Sequence, residues 1–168
     1  MAQVQRITPF LWFDTQAEEA AKFYTSVFKN SRIVRVSKYP DAGQENHHKP
    51  AGSTMTVDFE IEGQRFTAIN AGPAFKFTEA VSFVIHCRNQ EEIDYFWEKL
   101  IAGGAPSACG WLKDRYGLSW QVTPEILLDM INDQDEEART RAFSAMMTMK
   151  KIDIAELKRA FAGETVRA

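Results

Sequence analysis

Three histidines and two cysteines hold most of the proton-transfer and nucleophilic chemistry open to this chain. His86 is the next-to-last residue of the run VSFVIHC (81–87). A single imidazole there is either a satisfied core group or a general base and substrate hydrogen-bond partner near neutral pH. His47 and His48 are adjacent in a polar stretch. Neighbouring loop residues do not preorganise a metal site, so they read as solvated. Cys87 and Cys109 form no CxxC or CxH cluster and read as reduced structural thiols, with no base near Cys109 in sequence to activate it. Lys113, Asp114 and Arg115, ahead of Gly117, are either a solvated hairpin or selectors of a charged substituent. Met146, Met147 and Met149 read as core filler or partner-facing surface.

The elements that position these groups alternate between strand and helix. ITPFLWF (7–13) is apolar and too short for a helix, and it reads as a buried strand. Thr15 and Glu18 spell a capping box, after which Ala17, Ala20, Ala21, Tyr24, Val27 and Phe28 share one helical face up to about Asn30. Residues 31–39 read as a strand, and 40–52 as a loop with nothing to bury, mobile or a lid. Residues 53–61, alternating Met55, Val57, Phe59 and Ile61, turn at Glu62-Gly63 into a partner strand over 64–71.

The order then repeats. Val81, Phe83, Ile85 and Cys87 form one face of a strand, and Ser82, Val84 and His86 the other. Asn89 and Glu92 repeat the capping box before an apolar stripe of Ile93, Phe96, Trp97, Leu100 and Ile101, stopped at Gly103-Gly104. Short strands are expected around 105–109, 111–114 and 118–122. At an offset of 73 residues the two helical stripes superimpose, whereas the capping boxes prefer 74. That is a structural repeat with one residue of slack. Pro124 closes the sheet region, and three amphipathic pieces (125–131, 136–149 and one capped by Asp153) read as helices.

The chain has 168 residues, 45% of them apolar and 26% charged, with twelve Phe, four Trp and four Tyr, a composition that supports a folded core. Twenty Lys and Arg against twenty-three Asp and Glu give a net charge of −3, which disfavours a dedicated nucleic-acid partner. No apolar run reaches the roughly 18 residues of a membrane span, and no signal-peptide core opens the chain, so a cytoplasmic location and no membrane partner are expected.

Two tandem βαβββ units with Phe23-Tyr24 late in the first helix resemble the vicinal oxygen chelate superfamily of glyoxalase, bleomycin-resistance and extradiol dioxygenase folds. The nearer likeness is to its PhnB-like branch. It is carried by ITPFLWF (7–13), AEEAAKFYTSVF (17–28), FTAINAGPAFKF (66–77), VSFVIHC (81–87) and CGWLKDRYGLSWQVTP (109–124), and it extends from Ile7 to Phe161. The resemblance implies an α+β fold with the two modules forming a curved, cup-like mixed sheet. It implies one domain over 1–124, with modules at about 7–72 and 80–124. A helical extension over 125–168 packs on that domain or on a partner, and a homodimer is expected. Members of the branch often carry the label 3-demethylubiquinone methyltransferase. The sequence has no Gly-rich strand-to-helix loop of the kind methyl-donor sites usually show.

Metal-using relatives place two ligands in each module, and the resemblance puts those positions on Thr8 or Pro9, Asn70, Ser82 and Gln121. None is His, Asp, Glu or Cys, so no metal and no cofactor are expected. The cup would instead be lined by rings and neutral polar groups: Trp12, Phe13, Asn70, Ser82, His86, Trp111, Trp120 and Gln121. Such a lining suits a small apolar or aromatic ligand bound without a metal, with a superfamily enzyme or the methyltransferase of the label as the alternative. His86 is the one candidate for a catalytic role.

Overall fold

Pro9 fixes where the first strand begins. It has no N–H to give to a ladder, but its carbonyl accepts the Thr67 N–H at 3.0 Å, and β1 (Phe10–Phe13) starts immediately after it. The computed structural model describes residues 5–164. After β1 come α1 (Ala17–Val27), β2 (Arg32–Lys38), α2 (Gln44–His47), β3 (Thr54–Ile61) and β4 (Gln64–Asn70). β5 (Ser82–Cys87), α3 (Gln90–Ile101), β6 (Ala105–Pro106), β7 (Trp111–Lys113) and β8 (Ser119–Pro124) follow, and α4 (Glu125–Ile131), α5 (Glu136–Thr148) and α6 (Ile154–Ala162) end the chain.

The chain divides between Lys76 and Phe77 into two units, each holding one four-stranded mixed sheet. The strand orders are β1-β4-β3-β2 and β5-β8-β7-β6. In each, the first strand runs parallel to the last while the others pair antiparallel. This is the α+β class with two βαβββ modules and C-terminal helices, as the sequence implies.

In the first unit, period-two alternation divides the sheet cleanly. Leu11, Phe13, Val57, Phe59, Phe66 and Ala68 are buried on the face that α1 covers, where Tyr24 stacks on Phe59 with ring centroids 6.0 Å apart. In the second unit, Leu112, Trp120 and Val122 are buried on the α3 face with Ile93, Trp97 and Leu100 of the helix.

Three expectations need correction here. The capping box of Thr15 and Glu18 does not form. Glu18 instead binds Lys22 at 2.8 Å and Thr54 at 3.1 Å, and the α1 N-terminus is closed from β4. Val81 is not on the covered strand face; it precedes β5 and is 64% exposed. Residues 40–52 do have something to bury, because the His47 ring packs on Tyr39 at 4.6 Å. The His47 Nε2–H donates to the Ala42 carbonyl and Nδ1 accepts the Lys49 N–H, each at 3.0 Å. The Gly52 N–H closes the segment on the Tyr39 carbonyl at 2.8 Å.

The C-terminal extension is tied to the second unit. The Gln90 side chain donates to the Ile152 carbonyl at 3.1 Å and accepts the Ile154 N–H at 2.9 Å. The Cys109 and Gly110 amides donate to the carbonyls of Met149 and Lys150. A Cβ on Gly110 would lie 2.7 Å from the Val122 carbonyl oxygen, and its φ is +81°, so this turn demands glycine. Met149 is buried, while Phe143 and Met147 stay exposed.

Candidate functional site

The eight residues expected to line a cup fall on different faces. Asn70 is the register partner of Phe13, and both lie on the α1 side of their sheet. Its Oδ1 accepts the Ala17 N–H at 2.8 Å, its Nδ2 donates to the Thr54 carbonyl at 3.2 Å, and its own carbonyl accepts from the Tyr39 hydroxyl at 2.6 Å. These bonds occupy Asn70 in holding the fold, and Phe13 is core. Trp120 is likewise core: it is buried opposite Gln121, its ring meets Phe83 at 5.6 Å, and its Nε1–H donates to Asp114 at 2.9 Å. Adjacent strand residues point to opposite faces, so Trp120 and Gln121 cannot line the same surface.

Of the first-unit candidates, Trp12 remains on the open face, with its Nε1–H on the Gly72 carbonyl at 2.8 Å and its ring edge-on to Phe75 at 4.9 Å. Phe10 beside it is 59% exposed. The same face carries a cluster the sequence reading passed over. Arg35 donates through Nε and Nη2 to Asp58 Oδ2 at 2.9 and 2.6 Å, and Thr67 donates to Asp58 Oδ1 at 2.7 Å. Glu60 sits 3.6 Å from both Arg32 and Arg65. The available signal was Thr56, Asp58 and Glu60 alternating with the apolar positions of β3.

The remaining four candidates, Ser82, His86, Trp111 and Gln121, share one face of the second sheet. The register sets Ser82, Ser119 and Lys113 side by side across β5, β8 and β7, then Val84, Gln121 and Trp111 in the next row, then His86 beside Thr123. Gln121 Nε2 donates to Ser82 Oγ at 2.9 Å. Val84 is 44% exposed and His86 is exposed. Neutral hydrogen-bonding groups next to an aliphatic chain and an indole suit a small molecule with an apolar body.

The thiols and the charged hairpin are placed plainly. Burial, followed by the charges of Glu92 and Glu125, pushes the Cys87 thiol up to about 12, which leaves it inert as a nucleophile. Cys109 takes a left-handed φ of +58°, with its sulfur 3.5 Å from that of Met147. Asp114 is buried and accepts the amides of Tyr116 and Leu118 at 2.9 and 3.1 Å in addition to the Trp120 indole. Arg115 donates to the Ala102 carbonyl at 3.2 Å. Only Lys113 of that trio faces outward with the site, paired to Glu79.

The four positions implied for metal ligands do not suit a divalent ion. Asn70 is committed to backbone groups, Gln121 and Ser82 bond each other, and neither Thr8 nor Pro9 brings an imidazole or carboxylate. Among the described residues no three His, Cys, Asp or Glu side chains converge to hold a metal. A methyl-donor cofactor fits no better. The β1-to-α1 turn is Asp14-Thr15-Gln16 and the β5-to-α3 turn is Arg88-Asn89, and neither has a glycine to let a nucleoside ribose approach the backbone.

This pair of βαβββ modules is the architecture of the vicinal oxygen chelate superfamily. Residues 5–123 match the family described as 3-demethylubiquinone-9 3-methyltransferase, and the chain belongs to that family. A PhnB protein from Bacillus cereus is 39% identical, with 71% of this chain and 99% of that one covered and a TM-score of 0.63. A Pseudomonas aeruginosa protein is 19% identical over 73% of this chain and 98% of its own, with a TM-score of 0.58, and shares the fold. No curated protein matches the chain. The family match stops at Thr123, so α4, α5 and α6 lie beyond it. No helix among the described residues is long and apolar enough to cross a membrane.

Proposed function

We propose that the protein binds a small apolar or aromatic molecule on the open face of its second sheet, without a metal. The observation that carries this reading is the joined pair Ser82–Gln121 set between Val84, Trp111 and His86 on the face that α3 leaves uncovered. The apolar groups supply contact area and the neutral polar groups orient the ligand. His86, at the end of the row, supplies a hydrogen bond. Methyl transfer is no part of the reading, because the strand-to-helix turns lack the glycines a donor site needs.

Titration with 2-naphthamide, a neutral ring probe, followed by protein-observed NMR, tests it. Saturable shifts at the Ser82, Val84, Trp111 and Gln121 amides, lost in a folded Ser82→Trp variant, are the expected result. Shifts confined to other residues, or unchanged binding in Ser82→Trp, overturn it.

The reading extends to a cytoplasmic homodimer joined through the exposed Leu128, Phe143 and Met147 of α4 and α5. A 19 kDa species in sedimentation equilibrium at micromolar concentration removes the dimer.

A further inference from the structure

We propose that the ligand of the second sheet is an aromatic carboxylate, its carboxylate held between Lys113 and Ser119 after displacing Glu79 from Lys113. This rests on the binding reading above and adds the charge class of the ligand.

The starting observation is Ser119. It is 1% exposed, and its Oγ has no hydrogen-bond partner. A buried hydroxyl without a partner forfeits free energy that a bound acceptor would return. Its register partners are Ser82 on one side and Lys113 on the other, so all three project from the same sheet face. Strands lie about 4.8 Å apart and same-face rows about 7 Å apart. Because Ser119 is closed off from solvent, a carboxylate reaches it only as the Lys113–Glu79 pair opens; it then lies one strand spacing from Lys113, and a ring attached to it extends over the next row, where Trp111, Gln121 and Val84 lie.

The first unit shows the same three groups in completed form. There the Thr67 hydroxyl donates to one oxygen of Asp58 at 2.7 Å, and Arg35 takes the other oxygen at 2.6 Å. Hydroxyl, carboxylate and cation come from neighbouring strands of one sheet. In the second sheet the hydroxyl, Ser119, and the cation, Lys113, are direct register partners on β8 and β7, and none of its four strands supplies a carboxylate.

Glu79 occupies Lys113 in the meantime. It lies in the segment before β5, its side chain is 63% exposed against 40% for Lys113, and no hydrogen bond connects it to Ser119. The hydrogen bond from Lys113 holds the Glu79 carboxyl below its ordinary range, so it is an ionised competitor at neutral pH. An exposed pair of this kind contributes little stability and is readily exchanged for an external anion. A ligand carboxylate differs from it by also satisfying Ser119.

Calorimetric titration of 2-naphthoate against 2-naphthamide separates this inference from the broader one. The carboxylate is expected to bind about tenfold more tightly, the usual scale of a charge-assisted hydrogen bond. Lys113→Met should erase that preference while leaving the amide's affinity unchanged. Ser119→Ala should lower 2-naphthoate affinity severalfold without lowering the melting temperature, since the hydroxyl has no partner to lose. Glu79→Gln should raise 2-naphthoate affinity severalfold.

If the amide binds at this face as tightly as the carboxylate, or if Lys113→Met keeps the preference, the carboxylate inference is overturned and the binding reading stands. If neither probe binds, both are overturned. A melting temperature that falls in Ser119→Ala as it would for a bonded hydroxyl also counts against the inference.

Discussion

The side chain of Asn70, at the end of β4, accepts the backbone N–H of Ala17, the first residue of α1, at 2.8 Å. A helix N-terminus leaves its first amides without partners, and the local cap that the sequence offers, Thr15, makes no such bond. The bond therefore does for α1 what Asn89 does locally for α3, whose Oδ1 accepts the Glu92 N–H at 2.9 Å. It also fixes β4 against the helix.

Asn70→Ala removes the acceptor and a donor to the Thr54 carbonyl in a buried setting. We expect a loss of about 2 to 4 kcal/mol in urea unfolding, from two lost bonds and the desolvated groups they leave. Thr15→Ala, which removes no cap bond, should change stability by less than about 0.5 kcal/mol. Equal effects from the two variants would contradict this assignment.

Elements whose signal is local were legible in the sequence: β3 by its alternation, α3 by its cap and stripe, and α6 by Asp153, whose Oδ1 accepts the Glu156 N–H at 2.9 Å. Asn70 was not legible in its actual role, since its partner is 53 residues away. Trp120 is a different kind of miss. Period two already separates it from Gln121, but ring content within one motif had grouped them. Ser82, Val84 and His86 were legible as one strand face from alternation alone, whereas Trp111 and Gln121 join that face through a strand register that only the structure gives. The idle hydroxyl of Ser119 leaves no mark in sequence, as whether a buried group finds a partner is a property of three-dimensional packing.

Asp114 organises the turn between β7 and β8 through three bonds to one carboxylate. Asp114→Ala strands two amides and an indole N–H, so a loss of about 3 kcal/mol or more is expected. Asp114→Asn keeps the Oδ1 acceptor for Tyr116 and Leu118 but sets an amide NH₂ against the Trp120 N–H. It should fall between wild type and Asp114→Ala, with altered Trp fluorescence as its signature.

Cys87 gives a pH dependence whose sign follows from burial. Its thiol is raised from about 9 to about 12 in the folded chain, so the folded state holds the proton more tightly than the unfolded state. The stabilising contribution is fully present below pH 9 and is lost as pH climbs through 9 toward 12. Relative to Cys87→Val, wild type should lose stability across that window and not below it. In the native protein at pH 8, a thiol reagent should modify the half-buried Cys109 well before Cys87.

Gly104 provides the sharpest steric test. A Cβ there would lie 2.0 Å from the Lys113 carbonyl oxygen and 2.9 Å from the Asp114 carbonyl carbon, both backbone atoms that no rotamer change can move. Because β6 pairs with β7 through Ala105 and Lys113, accommodating a methyl group means separating those two strands. Gly104→Ala should therefore cost about 2 kcal/mol or more in thermal or urea unfolding, in the range of overpacked sites. It should also displace Lys113, so 2-naphthoate affinity should fall in whatever fraction remains folded. Gly63→Ala serves as the comparison, since a Cβ there meets nothing within 4 Å and only the φ of +84° resists it. That variant should lose about 1 kcal/mol and leave the second sheet's binding untouched. If Gly104→Ala proves as mild as Gly63→Ala, the close approach of the α3-to-β6 turn to β7 is not as described.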